Sequence, residues 1–271
     1  MNGRKTPSVG YREMVRGARV LALCEPTLRA AGLSSADLAT CRALLMFITA
    51  LVYRFDDEVE DRQDNGSVEK REVGGDLLAT LRAEGVASAA VLREIADGER
   101  YVVGESAALT GSPPSEDELL GLLLLRSVDI RIVLRVACDR TGHALDEGLV
   151  RLLEPWLAQQ EIENDLGSYK EDSAKGRFNV PRLLVLAHGP QEAAERLSGL
   201  RHQLMDLAET AVGQASRGAL ASMLALLVTR GPATGLVTQA LARLPRTVLA
   251  AALLRICQRR RRLPPAAPFA G

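Results

Sequence analysis

The chain has 271 residues, of which 47% are hydrophobic, and its 34 basic residues equal its 34 acidic residues in number. This content is enough for a sizeable core, and the balanced charge gives no reason to expect nucleic acid or an anionic membrane as the general partner. The four cysteines are far apart and form no CxxC pair, which argues against a disulfide framework.

Neither a targeting segment nor a membrane span is predicted. The first 13 residues lack an apolar core of signal-peptide length, and the longest apolar runs are interrupted by Arg or Gly. We therefore expect a cytoplasmic protein with no stable membrane insertion.

Helical periodicity dominates the chain, since Leu, Ala, Arg and Glu are abundant and aromatic residues make up only 3%. No break is long or polar enough for an interdomain linker, so we expect one all-α domain over 1–271, with a basic, Pro- and Ala-rich tail at 258–271. The predicted helices are 11–31, 35–61, 68–83, 87–109, 115–141, 145–173, 178–187, 191–212, 216–229 and 234–262.

The second predicted helix ends in FDDEVED, residues 55–61, directly after an apolar run. Asp56 and Glu60 lie one helical turn apart, and Asp57 lies beside them. Like charges at the C-terminal end of a helix repel each other and the macrodipole, so neighbouring cations or a bound cation must compensate. The stretch is either a solvated acidic helix end or a carboxylate site for Mg²⁺ and a diphosphate.

A second polar pattern, ENDLGSYKEDSAKGRFNV, begins at Glu163. Asn164, Ser168 and Asp172 recur every four residues, so they follow one helix face and offer oxygen ligands to a hard cation. Alone, this spacing is also common on exposed helix faces. The cations that could bind phosphate oxygens are Lys170, Lys175 and Arg177.

Together, the two patterns resemble the metal-binding motifs of class I terpene synthases, in particular the bacterial all-α cyclases. The DDxx(D/E) motif corresponds to Asp56, Asp57 and Glu60, and the NDxxSxxxE motif to Asn164, Asp165, Ser168 and Asp172. The last ligand is Asp172 where the family has glutamate, and the adjacent Glu171 is an alternative.

The family also has an upstream arginine that binds the diphosphate. In LLLLRSVDIRIVL, Arg126 matches best and Asp129 is the accompanying acidic residue, although the distance to Asn164 is shorter than in the family and Ile130 replaces a glycine. The Arg-Tyr pair found near the end of many members is missing. Its substitutes would come from Arg255 or the 259–262 arginine run.

The resemblance implies a helical bundle with a central active-site cavity, in which three Mg²⁺ ions bind the diphosphate of an allylic isoprenyl substrate. Asp56, Asp57 and Arg126 would carry the ionisation step, with Arg126, Lys170, Lys175 and Arg177 binding the diphosphate. Aromatic rings that could line the cavity, or simply pack, are Phe47, Tyr53, Phe55 and Trp156.

Few aromatic residues suggest a roomy aliphatic pocket, which favours a C20 over a C15 substrate. No DxDD motif occurs, so protonation-initiated cyclisation is not expected in this chain, and a pre-cyclised diterpenyl diphosphate, the alternative substrate, would have to come from another enzyme. Two alternatives remain: an isoprenyl chain-elongating synthase, against which NDLGSYKED argues, and a non-catalytic helical binding or scaffold protein. A homodimer is compatible with all three.

Overall fold

The computed structural model describes residues 8–64, 75–229 and 233–261, without the side chains at position 56 and positions 59–64. Within these ranges the protein forms helices and no strand, which confirms the all-α prediction. The twelve helices of the described ranges are α1 Tyr11–Ala30, α2 Ser35–Asp64, α3 Gly75–Ala83, α4 Ala89–Thr110, α5 Glu116–Arg126, α6 Val128–Thr141, α7 Glu147–Lys175, α8 Val180–His188, α9 Pro190–Gln214, α10 Arg217–Val228, α11 Thr234–Leu241 and α12 Arg246–Arg261.

Two of the predicted helices are each divided in the structure, so those two predictions were wrong. The segment 234–262 is split by residues 242–245, where Pro245 disfavours helical backbone in the residue before it. The segment 115–141 breaks at Ser127, where the sequence has no proline or glycine that would predict a break. The break is supported from a distance, because Arg131 donates a hydrogen bond (3.0 Å) to the carbonyl oxygen of Leu124 near the end of α5.

Helix boundaries elsewhere follow local capping signals. Ser115 and Glu118 form a reciprocal capping box at the start of α5, and the Asn179 side chain accepts from the N–H of Arg182 at the start of α8. Gly176 ends α7 with φ +71°, a left-handed conformation that favours glycine. The polar stretch of the second motif therefore lies on the last turns of α7, directly before this stop.

Two groups of buried apolar residues make up the core. One is built mainly from α1, α2, α6 and α10, and the other mainly from α5, α8 and α9. Helix α7 belongs to both, with Leu152 buried in the first group and Ile162 in the second, while Trp156 packs against both. The C-terminal half of α7 is therefore held firmly on its apolar side, and its polar side is left for the motif residues.

An ion-pair cluster joins α4, α6 and α7, and its members Glu94, Arg131 and Arg135 are buried. The carboxylate of Glu94 accepts hydrogen bonds from Nε of Arg131 (2.8 Å) and from Nε of Arg135 (2.6 Å). Arg135 also donates to both carboxylate oxygens of Glu147, at 2.7 and 3.0 Å. These contacts neutralise charges that would be costly to bury alone, and they fix α6 against α4 and the start of α7.

The apolar part of α2, Ser35–Phe55, is long and apolar enough to cross a membrane by length and composition alone. The expectation that every apolar run is too short was therefore wrong for this stretch. Its residues Cys41, Leu45 and Ile48 are buried against other helices, as in the core helix of a soluble protein, which passes the same test. The absence of stable membrane insertion stays a prediction.

Candidate functional site

The acidic end of α2 is joined to α1 through Arg16. The guanidinium of Arg16 forms an ion pair with Asp57 and lies 4.3 Å from the centre of the Tyr53 ring. Asp56 and Glu60 belong to the same helix, and their side chains are outside what the structure describes. Arg16 is thus a cation that offsets the charge of the acidic motif. It lies 41 residues before Asp57 in the chain, so the local sequence around the motif could not predict this contact.

Tyr53 joins α2 to the beginning of α6. Its hydroxyl group donates a hydrogen bond (3.1 Å) to the carboxylate of Asp129. Burial raises the pKa of Asp129 above its ordinary value, and hydrogen bonds from the Ile130 backbone and from Tyr53 oppose this increase. Tyr53 was predicted as a cavity-lining ring, whereas the structure places its hydroxyl group in a polar contact.

Arg126, the predicted diphosphate-binding arginine, lies at the break between α5 and α6. Its guanidinium contacts two carboxylates of α7, Asp165 at 2.6 Å and Glu161 at 3.3 Å. It also lies 5.7 Å from the centre of the Phe178 ring. Burial alone would lower the pKa of Arg126, but Tyr101 and these carboxylates raise it on balance, so the side chain keeps its charge.

Asp165 fixes the second motif against its neighbours. Its side chain is 1% exposed, and its carboxylate accepts from the backbone N–H of Val180 (2.8 Å) in addition to Arg126. Its backbone carbonyl accepts from Asn179 Nδ2 (2.7 Å). Burial raises the pKa of Asp165, and the opposing charge of Arg126 is the first influence that lowers it. Asp165 therefore holds α5, α7 and the start of α8 together.

The motif face of α7 consists of Asn164, Ser168 and Asp172. Ser168 donates a hydrogen bond to Asp172, whose Oδ2 also accepts from Asn179 Nδ2 at 3.0 Å. Asn164 is exposed and accepts from Gln160 Nε2 at 3.3 Å. The structure thus joins two of the three predicted metal ligands directly and leaves the third accessible one turn earlier.

The alternative ligand Glu171 lies away from this face. It is exposed and accepts a hydrogen bond from Lys175 Nζ at 2.7 Å. Asp172, by contrast, is half-buried and contacts Ser168. The geometry therefore favours Asp172 over Glu171 as a residue that acts together with Ser168.

The predicted phosphate-binding cations occupy different environments. Lys170 is exposed, and Lys175 is already paired with Glu171. Arg177 is half-buried, and its backbone carbonyl accepts from Arg182 at 3.0 Å. Arg126 is held between two carboxylates of the motif helix, Asp165 and Glu161, so it is the best-positioned member of this group.

Aromatic residues beside Arg126 differ from those proposed from the sequence. Phe47 and Phe55 are half-buried on α2, and Phe47 and Trp156 pack against the apolar core. Tyr101 and Phe178 pack edge to face, with ring centres 6.2 Å apart, on the side of Arg126. These two rings come from helix α4 and from the segment before α8, so only the tertiary structure brings them together.

Oxygen donors suited to Mg²⁺ are available from both motifs, with Asp57 on α2 and Asn164, Ser168 and Asp172 on α7. Among the side chains that the structure describes, no cluster of three His, Cys, Asp or Glu residues is arranged for a metal ion. The motif face of α7 contains one carboxylate beside an amide and a hydroxyl group, and two of the three carboxylates of the first motif lie outside the described side chains. The donor chemistry fits a hard cation.

Polar contacts lie on both sides of the break between α5 and α6. Tyr53 on α2 contacts Asp129 at the start of α6. Burial raises the pKa of Glu161 on α7, the charge of Arg126 opposes this increase, and the charge of Asp129 adds to it. Glu161 in turn shares Arg126 with Asp165, within the second motif. Sequence reasoning identified Arg126 and Asp129 individually but not Glu161, the second α7 carboxylate beside Arg126.

Comparisons with protein families, curated proteins and solved structures found no match for this chain.

Proposed function

We propose that the protein is a Mg²⁺-dependent class I terpene synthase, which ionises an allylic isoprenyl diphosphate and releases a terpene and diphosphate. The observation that supports this most is that both motif regions make polar contacts at the break between α5 and α6: Tyr53 of α2 with Asp129, and Asp165 of α7 with Arg126. These contacts relate the acidic end of α2 and the polar face of α7, the two segments whose motifs resemble those of this family. The fold would be the family's helical bundle with a central cavity.

In this proposal, Asp56, Asp57 and Glu60 would hold the metal from one side of the site. Asn164, Ser168 and Asp172 would hold it from the other side. Three Mg²⁺ ions, when bound, supply the positive charge that makes diphosphate a good leaving group. Asp57 would hold a metal ion, and the charge of Arg16, its ion-pair partner, would then offset the negative charge of the substrate.

The ionisation step breaks the bond between the allylic carbon and the diphosphate oxygen, and the electron pair leaves with the oxygen. Arg126 stabilises the departing diphosphate by hydrogen bonding, because its two α7 carboxylates orient the guanidinium without removing its charge. Water must be excluded until the carbocation ends by proton loss or hydration. A wall made mostly of aliphatic side chains favours a C20 substrate over a C15 substrate.

A substrate panel tests the proposal directly. Purified protein would be incubated with geranyl, farnesyl, geranylgeranyl and a bicyclic diterpenyl diphosphate, with Mg²⁺ or with chelator, and diphosphate release and extracted hydrocarbons would be measured. We expect Mg²⁺-dependent release from a C20 substrate and a cyclic product detected by mass spectrometry. No release from any of the four substrates would overturn the proposal and favour the binding or scaffold alternative.

Isopentenyl diphosphate added to the same reactions distinguishes cyclisation from chain elongation. A terpene synthase should give the same product with and without it, whereas a chain-elongating synthase would form a longer diphosphate only in its presence. The sequence NDLGSYKED, in place of a second DDxxD, favours the first result.

A matched pair of variants tests the role of the second motif. Asp172→Asn removes the half-buried carboxylate that contacts Ser168, and we expect a loss of activity of about 100-fold or more. Glu171→Gln removes the neighbouring exposed carboxylate, which pairs with Lys175, and should retain most activity. The reverse order would assign the metal contact to Glu171.

A further inference from the structure

The balanced net charge conceals an uneven distribution along the chain. Residues 210–271 include nine of the 34 basic residues, all of them arginines, and none of the 34 acidic residues. The first 209 residues consequently have an excess of acidic residues. Total charge therefore says nothing about the surface formed by the last helices, which has to be considered separately.

The outer face of α12 combines apolar and cationic side chains. Val248, Arg255 and Arg259 are exposed at spacings of seven and four residues, while Leu249, Leu253 and Cys257 are buried on the opposite side. Leu244 lies just before the helix and is 39% exposed, and Val248 is 50% exposed. We use the name outer face of α12 for Leu244, Val248, Arg255 and Arg259.

The cations of this face are available for an external partner. Arg255 and Arg259 are exposed and form no ion pair with any residue in the described part of the chain. Two other arginines of the same helix are occupied within the protein, since Arg246 donates to the carbonyl of Gly213 (2.6 Å) and Arg261 pairs with Asp206. The helix thus contains two arginines that bind groups within the protein and two exposed arginines without such a contact in the described part of the chain.

We propose that the outer face of α12 binds the surface of an anionic lipid bilayer. Exposed aliphatic side chains can enter the boundary between headgroups and acyl chains, while arginines contact lipid phosphate groups, which is how amphipathic surface helices bind membranes. Such binding is peripheral and needs no membrane-spanning segment. None of these residues belongs to the two motifs, and vesicle binding is measured without substrate, so it is tested separately from the proposed enzymatic activity.

Two other occupants fit the surface less well. A nucleic acid would pair with the arginines but would gain little from burying Leu244 and Val248, since its outer surface is a charged phosphate backbone. A symmetric dimer through this face would place the same arginines opposite each other, with no acidic residue on the face to pair with them. A lipid surface satisfies both the apolar and the cationic side chains.

Vesicle sedimentation tests the proposal with the full chain. Vesicles of phosphatidylcholine alone, or with about 30 mole per cent phosphatidylglycerol, would be mixed with protein at about 0.1 M and about 1 M salt. We expect binding only to the anionic vesicles at low salt. Removing one arginine should weaken partitioning about fivefold, so Arg255→Glu with Arg259→Glu should abolish it.

Control variants separate the outer face from general effects. Arg42→Glu reverses an exposed arginine on α2 without a described ion pair, and it should bind vesicles almost as well as the wild type. Val248→Ser should weaken binding while leaving the charge unchanged, and circular dichroism would check that each variant remains helical. Equal binding by the double arginine variant, or no binding by the wild type, would overturn the proposal.

The same protein samples also test the two alternative partners, a second copy of the chain and a nucleic acid. Light scattering without vesicles would detect self-association through this face, and gel shift with single-stranded RNA at the same salt would detect nucleic acid. Either interaction, lost in the double arginine variant while vesicle binding is absent, would assign the surface to that partner instead. Because vesicle binding is measured without substrate, its failure is distinct from a failure of the proposed enzymatic activity.

Discussion

Two arginine–carboxylate clusters lie close together in the chain but differ in exposure. In the core cluster, the Arg131 and Glu94 side chains are 2% and 6% exposed. In the break cluster, at the junction of α5 and α6, the Arg126 and Glu161 side chains are 21% and 22% exposed. The two clusters therefore differ in what they can do. A buried arginine–carboxylate pair can only hold helices together, whereas a partly exposed pair can also bind a ligand.

Their surroundings reinforce this difference. Arg131 and Arg135 share the carboxylate of Glu94, and all three residues are buried. Arg126 has aromatic neighbours and contacts the helix that carries the second motif. Substitutions in the core cluster should therefore change stability, whereas substitutions in the break cluster should change activity more than stability.

The largest effect on stability is expected from Glu94→Gln. The change leaves Arg131 and Arg135 without the carboxylate that they share, and loss of one partner in a buried pair typically costs about 3–5 kcal/mol. Urea unfolding would measure the free-energy change. Glu99→Gln on the exposed side of the same helix is the control and should change stability by less than about 0.5 kcal/mol. Similar results for both variants would contradict a structural role for Glu94.

The direct comparison of the clusters uses Arg126→Lys and Arg131→Lys. Lysine keeps the charge but loses the planar fork that reaches two carboxylates. Arg126→Lys should reduce kcat of the folded enzyme about 100-fold if the guanidinium also stabilises the leaving diphosphate. Arg131→Lys should lower the free energy of unfolding by about 2 kcal/mol and leave kcat unchanged. An equal loss of kcat in both variants would remove the functional distinction between the clusters.

A smaller effect is expected from Ser115→Ala at the start of α5. It removes the capping box and should cost about 1 kcal/mol of stability. Because α5 ends at Arg126, this variant tests whether destabilising the helix is enough to impair the candidate site around Arg126. Thermal denaturation and kcat measured together would answer this, and we expect kcat below the unfolding temperature to remain at the wild-type level.

The smallest effect is expected from Asp129→Asn, and it should depend on pH. Burial raises the folded-state pKa of Asp129 above its ordinary value of 3.8. The wild-type protein is therefore most stable while this carboxyl group is protonated, and it loses that stability as pH rises from 3.8 through the folded-state pKa. The stability of the variant relative to the wild type should therefore increase with pH across this range. Unfolding curves from acidic to neutral pH would measure it.

The control for this pH scan is Asp139→Asn, an exposed position near the end of the same helix. Because this side chain is exposed, Asp139→Asn should change the free energy of unfolding by less than about 0.5 kcal/mol. A relative stability of Asp129→Asn that falls as pH rises would contradict a buried carboxyl group at this position.

Local sequence information accounts for most of the helical architecture. Each of the ten predicted segments contains helix in the structure, because apolar spacing and capping residues act over one or two turns. The segment 68–83 is described as helix only from Gly75, and its earlier residues lie outside the described ranges. The missed break at Ser127 is accompanied by a hydrogen bond from Arg131 to the carbonyl of Leu124, and apolar periodicity cannot reveal such a contact.

The candidate site was predictable to the extent that it depends on spacing within one helix. The four-residue repeat placed Ser168 and Asp172 on one face of α7, and the structure joins them by a hydrogen bond. The sequence also determined the acidic motif on α2 and the all-α fold, since helix periodicity is a local property of the chain.

Only the tertiary structure decided which distant groups meet these residues. Arg16 reaches Asp57 across 41 positions, and Arg126 reaches Asp165 across 39. The packing of α12 likewise decided that Arg261 pairs with an acidic residue of α9, whereas Arg255 and Arg259 face outward. These partners follow from how helices pack, and long-range packing is not encoded in the spacing of any single segment.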